Sequence, residues 1–85
     1  MIFEFTDKRK WTYIFTVNED DLMFVHIKSM DDRGVLVHQE DVAFFQEVFN
    51  WRPYHTRGNT PLISPEAREF CEQKVKSFAK LKVFW

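Results

Sequence analysis

The densest apolar segment of the chain is the stretch 39–54, with the sequence QEDVAFFQEVFNWRPY. Val42, Phe45 and Phe49 follow the i, i+3, i+7 spacing of one helix face. An adjacent stripe consists of Phe44, Val48 and Trp51. Acidic residues precede Val42, where the helix dipole favours negative charge. Pro53 would end the helix, because it has no N–H and biases the preceding residue away from helical angles. The stretch therefore predicts a core helix around which the rest of the chain is organised.

Four segments before this helix alternate between the two faces of a strand. The loops between them have about four residues, whereas parallel neighbours need crossovers of a dozen or more, so we expect an antiparallel meander. The third segment is apolar on both faces, which indicates a central strand or an interface on the face of Phe24. The segments are Ile2–Thr6, Trp11–Val17, Leu22–Ser29 and Val35–His38.

A second helix is predicted after residue 63. Ser64 suits the N-cap, Pro65 the first helical position and Glu66 the positive end of the helix dipole. Residues 81–85 either prolong this helix or form a short C-terminal strand. The sequence therefore predicts a single α+β domain spanning residues 1–85, a four-stranded antiparallel meander followed by two α-helices packed on the sheet. The apolar stripe of the second helix consists of Ala67, Phe70, Cys71, Val75 and Phe78.

Charge and cysteine content limit the classes of protein that fit. The formal net charge is −1, which favours neither nucleic acid nor a strongly charged ligand. A single cysteine excludes an internal disulfide and fits a reducing compartment. No uncharged stretch approaches the roughly 20 residues that span a bilayer, and no N-terminal run resembles a signal peptide. We expect a cytoplasmic protein without membrane contact.

No catalytic, metal or cofactor site is visible in the pattern of residues. Gly34 and Gly58 are too far apart to form a phosphate-binding glycine loop. The histidines lack the spacing of zinc ligands. The two acidic turns, at residues 19–21 and 31–32, lack the ligand spacing of a calcium loop. Cys71 lies on an apolar stripe, where burial makes a thiol inert, although Cys71 and a histidine could still meet in the fold. We predict no metal and no cofactor, and favour a protein that is not an enzyme.

The stretch 51–57 is the segment whose composition suggests function. Trp, Tyr and Arg dominate binding hot spots, and they cluster here on a loop between the two predicted helices. The alternative is that the aromatic residues close the core while the arginines form ion pairs with the acidic turns. The candidate binding residues are Trp51, Arg52, Tyr54, His55 and Arg57.

Three functions remain open at this stage. The first is a small non-catalytic interaction protein, of the adaptor or inhibitor type, that binds another protein and forms a homodimer through surplus aromatic residues. The second is a nucleic-acid-binding module that uses Arg52, Tyr54, Arg57 and the lysines of the second helix. The third, with the least support, is a small enzyme or ligand-binding domain. The sequence favours the first.

Overall fold

The computed structural model describes residues 1–18, 24–45, 48–51, 56–57 and 60–83. These residues form a five-stranded antiparallel sheet, a two-stranded sheet and one α-helix. The large sheet consists of β1 (Ile2–Thr6), β2 (Thr12–Val17), β3 (Phe24–Met30), β4 (Leu36–Phe45) and β5 (Val48–Phe49). The remaining elements are β6 (Thr56–Arg57), β7 (Thr60–Pro61) and α1 (Pro65–Val83).

The large sheet is a curled meander in which successive strands are neighbours, in the order β1-β2-β3-β4-β5. The turn between β3 and β4 depends on Gly34, whose φ of +80° is left-handed and strains any residue with a Cβ. Its N–H donates a 3.0 Å hydrogen bond to the carbonyl of Asp31. A register shift lies between Ser29 and Met30. The central position of β3 agrees with its two apolar faces.

Side-chain alternation gives the sheet an inner face, packed against α1, and an outer face turned away from it. The inner face supplies most of the core. Aromatic rings pack against one another there, with 6.4 Å between the centroids of Tyr13 and Phe15 on β2 and 4.7 Å between those of Phe44 on β4 and Phe49 on β5. The buried apolar residues of the inner face are Tyr13, Phe15, Val17, Val25, Ile27, Val42, Phe44 and Phe49.

Helix α1 begins where the sequence predicts. Ser64 is its N-cap, because its Oγ accepts a 3.2 Å hydrogen bond from the N–H of Ala67. Phe70 packs onto the sheet, with its ring 4.8 Å from Phe5 and 6.0 Å from Phe15. Residues 81–83 continue the helix, so they do not form the C-terminal strand considered above, and residues 84–85 lie outside the described ranges. Among the described residues, no helix is long and apolar enough to cross a membrane.

The predicted core helix within residues 39–54 is wrong, and with it the predicted fold of two helices. Strand β4 runs through Leu36–Phe45, and β5 follows at Val48–Phe49. The predicted four-stranded meander is thus extended to five strands in the part of the chain that the structure describes, and one helix packs on it. Pro53, the expected helix terminator, lies outside the described residues.

The reason is that the same run also fits a period of two. Val42 and Phe44 are buried on the inner face, while Ala43 between them lies on the outer face opposite Phe24. Val42 pairs with Val25 of β3, an interaction distant in sequence. Because residues 42–45 are all apolar and further apolar residues follow at 48, 49 and 51, helical spacing is present as well, and pairing with β3 decides between strand and helix.

Candidate functional site

Trp51 is the predicted binding residue whose side chain the structure describes, and it is attached to α1. Its Nε1–H donates a 2.8 Å hydrogen bond to Glu72 Oε1, and its ring stacks on Phe49 with 5.5 Å between centroids. The guanidinium of Arg68 lies 4.9 Å from the ring centroid. These contacts fix the indole between β5 and α1, as expected if Trp51 closes the core.

The other residues of the predicted site are not brought together with Trp51 by any described contact. Arg52, Tyr54 and His55 lie outside the described residues. Arg57 contributes its backbone to β6, where it pairs with Thr60. Binding through the stretch 51–57 therefore stays a prediction.

The outer face of the large sheet exposes large apolar side chains. Ile2 on β1 and Val48 on β5 are each 68% exposed, and Phe24 on β3 is 50% exposed. Register places all three toward the same end of the sheet. Ile2 lies in the row of His26, and Phe24 lies two residues beyond His26. Val48 pairs with the residue of β4 that lies two positions beyond the one opposite Phe24. Across the first three strands, the outer face consists of Ile2, Glu4, Thr6, Thr12, Ile14, Thr16, Phe24, His26, Lys28 and Met30.

The charges of this face are few and of both signs. Glu4, Ile14 and Lys28 occupy one cross-strand row, with a carboxylate and an ammonium on either side of an aliphatic residue. In the next row, His26 Nδ1 lies 2.8 Å from Asp41 Oδ1. Glu4 and Lys28 stand two strand spacings apart, about 10 Å, and no ion pair joins them in the described structure.

A buried polar network that the sequence analysis missed lies at the turn between β1 and β2. The carboxylate of Asp7 accepts hydrogen bonds from the Tyr13 hydroxyl at 2.6 Å, the Arg9 N–H at 2.8 Å and the Trp11 N–H at 3.1 Å. Arg9 donates to the Tyr13 oxygen at 2.7 Å and to the carbonyl of Pro61 at 2.8 Å. The network therefore joins the first turn to the segment that leads into α1.

The pKa values in this network reflect its hydrogen bonds. Burial alone raises the pKa of Asp7, but the hydrogen bonds from Tyr13, Trp11 and Arg9 outweigh it and hold the pKa below its usual value. Burial, together with the hydrogen bond to Asp7, raises the pKa of Tyr13. The carboxylate and the neutral phenol are thus the favoured forms. Every one of these hydrogen bonds holds the turn in place, which indicates a structural role.

A second polar cluster lies on the inner face of β3 and β4. Ser29 is fully buried and pairs across the strands with His38, whose Nε2 lies 3.4 Å from Glu40 Oε1. Ser29 Oγ and Glu40 Oε2 are buried without a hydrogen-bond partner among the described residues. A serine with no exposed surface cannot reach a substrate in this conformation, so the cluster does not form an accessible catalytic site.

Cys71 is fully buried in α1, and burial, assisted by the nearby Glu72 carboxylate, raises the pKa of its thiol to about 12. The thiol is therefore protonated at neutral pH and a poor nucleophile. His26 lies on the outer face, on the other side of the sheet from Cys71, and His55 lies outside the described residues. Within the described ranges, no group of three or more His, Cys, Asp or Glu is arranged to hold a metal ion.

Comparisons with protein-family models, with curated proteins and with solved structures found no match to this chain.

Proposed function

We propose that this chain is a non-catalytic protein–protein interaction protein that binds its partner through the outer face of the five-stranded sheet. The observation that carries the proposal is the exposure of Ile2, Phe24 and Val48 on that one face. Single exposed apolar residues are ordinary on protein surfaces, but several on one face are typical of interaction sites.

The chemistry of the outer face fits a protein surface better than a nucleic acid. Lys28 has the carboxylates of Glu4 and Asp41 on the same face, so the described part of the face offers no continuous positive track for phosphates. Thr12, Ile14 and Thr16 form an uncharged strip along β2. A neutral centre with isolated charges beside it is the usual composition of a protein interface.

The nucleic-acid alternative rests on residues 52–57 and on the lysines of α1. Of these lysines, Lys74 lies 5.7 Å from the ring of Phe70, next to the apolar side of the helix. No contact among the described residues joins the lysines to the loop, so the basic track that this alternative needs stays a prediction. We regard it as the second candidate.

The non-catalytic part of the proposal rests on the state of Cys71. As the single cysteine, it was the candidate nucleophile, and burial with a raised pKa makes it unreactive at neutral pH. The exposed side chains instead offer area for binding. Binding is therefore the function that the surface supports best.

Two substitutions and a matched control test the proposal. Tagged protein is used to capture partners, including untagged copies of the chain, from a nuclease-treated lysate, and the captured proteins are quantified. We expect Phe24→Ser and Ile2→Thr each to reduce capture of a stoichiometric partner by about tenfold or more, as loss of an apolar anchor does. The control is Val35→Thr, which changes an aliphatic residue that is 53% exposed in the β3–β4 turn.

Thermal unfolding of each variant confirms that the fold is retained. Capture that survives both outer-face substitutions, or that disappears after nuclease treatment, would contradict the proposal. The second result would favour the nucleic-acid alternative. In that case Arg52→Ala and Arg57→Ala should each lower the slope of the logarithm of the binding constant against the logarithm of the salt concentration by roughly one, as loss of one phosphate contact does.

A further inference from the structure

We infer that the partner of the outer face is a second copy of this chain, packed sheet against sheet about a two-fold axis that runs along β2. The inference rests on the proposed function and names its partner. It follows from the register of three strands, because the outer side chains of β1 and β3 are complementary to each other across β2.

The geometry of such a pair is simple. A two-fold axis parallel to β2, lying between the two sheets, places β2 of one copy over β2 of the other. It also places β1 of each copy over β3 of the other, in the same row. Packed sheets lie about 10 Å apart with strands inclined by about 30°, and a two-fold axis along the bisector allows this inclination.

The middle row supplies the charge complementarity. Glu4, Ile14 and Lys28 stand in line on β1, β2 and β3. Under the two-fold, Ile14 faces Ile14 of the second copy, and Glu4 of each copy faces Lys28 of the other. Two opposite-charge pairs therefore flank an aliphatic centre, and each pair joins groups that have no ion-pair partner within the described residues of their own chain.

The rows on either side add apolar contacts. Ile2 of one copy lies over His26 and beside Phe24 of the other, which covers two of the exposed apolar side chains. At the opposite end, Thr6 lies over Met30 of the second copy. Ile2 and Thr6 thus meet Phe24 and Met30 of the second copy, and Ile2 also covers the ring of His26, whose Nδ1 is hydrogen-bonded to Asp41.

Other two-fold axes fit less well. An axis that crosses the strands at the middle row sets Glu4 against Glu4 and Lys28 against Lys28, where like charges repel. An axis along β3 again sets Lys28 against Lys28. An axis between β2 and β3 sets Ile14 over Lys28 and Ile2 over Asp41, which buries a charge against an aliphatic residue at both places. The axis along β2 is the arrangement among these that matches both charge and polarity.

Charge reversal tests this arrangement directly. Sedimentation equilibrium of the wild-type chain should show a monomer–dimer equilibrium. Glu4→Lys and Lys28→Glu should each raise the dissociation constant of the homodimer by about tenfold or more, because like charges then face each other at two symmetric places. An equimolar mixture of the two variants should associate with about the wild-type constant, since every facing pair is again of opposite sign. The doubly reversed chain should also regain the homodimer.

The control is Val35→Ser, which changes an exposed aliphatic residue of the β3–β4 turn, outside the contact made by β1, β2 and β3. It should leave the dissociation constant unchanged. A wild-type chain that stays monomeric, or a dimer that neither reversal weakens, or a mixture that does not restore association would overturn the inference. A monomer that still captures a different protein through Phe24 would leave the proposed function standing, whereas a chain that binds neither would refute both.

Discussion

The hydroxyl of Tyr13 donates a 2.6 Å hydrogen bond to the buried carboxylate of Asp7. The two groups come from β2 and from the turn before it, and Arg9 contacts both of them. Because Arg9 also donates to the carbonyl of Pro61, this pair connects the start of the sheet to the segment before α1.

The Asp7–Tyr13 contact should appear as a coupling energy. We expect Tyr13→Phe to lower the free energy of unfolding by about 2 kcal/mol, because the hydrogen bond is to a charged group. Asp7→Asn should also destabilise the fold, and the double variant should lose less than the sum by about 1 kcal/mol or more. Urea unfolding of the four proteins measures this cycle. Strictly additive losses would show that the two groups act independently.

The same network predicts loss of stability at both pH extremes. The pKa of Asp7 is lowered from 3.8 in the fold, so its contribution is complete well above 3.8 and disappears as the pH falls through the lower folded value. The pKa of Tyr13 is raised from 10.0, so its contribution is complete below 10.0 and declines as the pH rises beyond it. Urea unfolding across pH should show both declines. In Asp7→Asn the acid decline should be smaller, and an unchanged acid decline would assign it to other carboxylates.

Two buried serines should respond to alanine with opposite signs. Ser29 Oγ is buried and has no hydrogen-bond partner in the described structure. Removing it should raise the free energy of unfolding by about 1 kcal/mol, because the fold no longer has to bury an unsatisfied hydroxyl. Ser64→Ala should instead lower it by about 1 kcal/mol, because the N-cap of α1 is lost.

Ser77→Ala, at an exposed position within α1, is the control for both serine variants and should change stability by less than about 0.5 kcal/mol. Thermal or urea unfolding of the three variants gives the comparison. A destabilised Ser29→Ala protein would mean that the Ser29 hydroxyl is hydrogen-bonded in solution.

The thiol of Cys71 should be protected in the native protein. It is fully buried and its pKa is raised to about 12, so little thiolate exists at pH 8 and reagents cannot reach it. We expect its reaction with a disulfide reagent at pH 8 to be limited by unfolding and to become fast in urea. Rapid reaction of the folded protein would contradict this description, and Cys71 would again be a candidate nucleophile.

The sequence predicts the first three strands of this fold but not the course of the chain around Val42 and Phe44. In β1 and β2, strict alternation leaves one interpretation, and the strands lie where that alternation places them. Residues 42–45 are all apolar and others follow at 48, 49 and 51, so the stretch satisfies helix and strand spacing alike. The pairing of Val42 with Val25 on β3 selects the strand, and the local sequence pattern carries no information about that pairing.

The candidate sites also differ in whether local sequence is enough to predict them. The polar turn at Asp7 is typical of a solvent-exposed turn in sequence, because the network around Asp7 is completed by Pro61 and Ser64, which lie far along the chain and bond Arg9 and Tyr13. The sequence around Trp51 is typical of an exposed loop, because the hydrogen-bond partner of its indole, Glu72, lies on α1 and is distant in sequence. By contrast, the outer-face position of Phe24 follows from alternation alone, which is why the sequence indicates an interface there.

Amide NMR spectra of the chain, recorded over a range of protein concentrations, test most directly the claim that the outer face binds a second copy of this chain. We predict concentration-dependent shifts at Glu4, Ile14 and Lys28, with little change at Gln73 on the exposed side of α1. The shifts should vanish in Glu4→Lys and return when Lys28→Glu is added in equal amount. Shifts confined to α1, or spectra that do not change with concentration, would contradict the account.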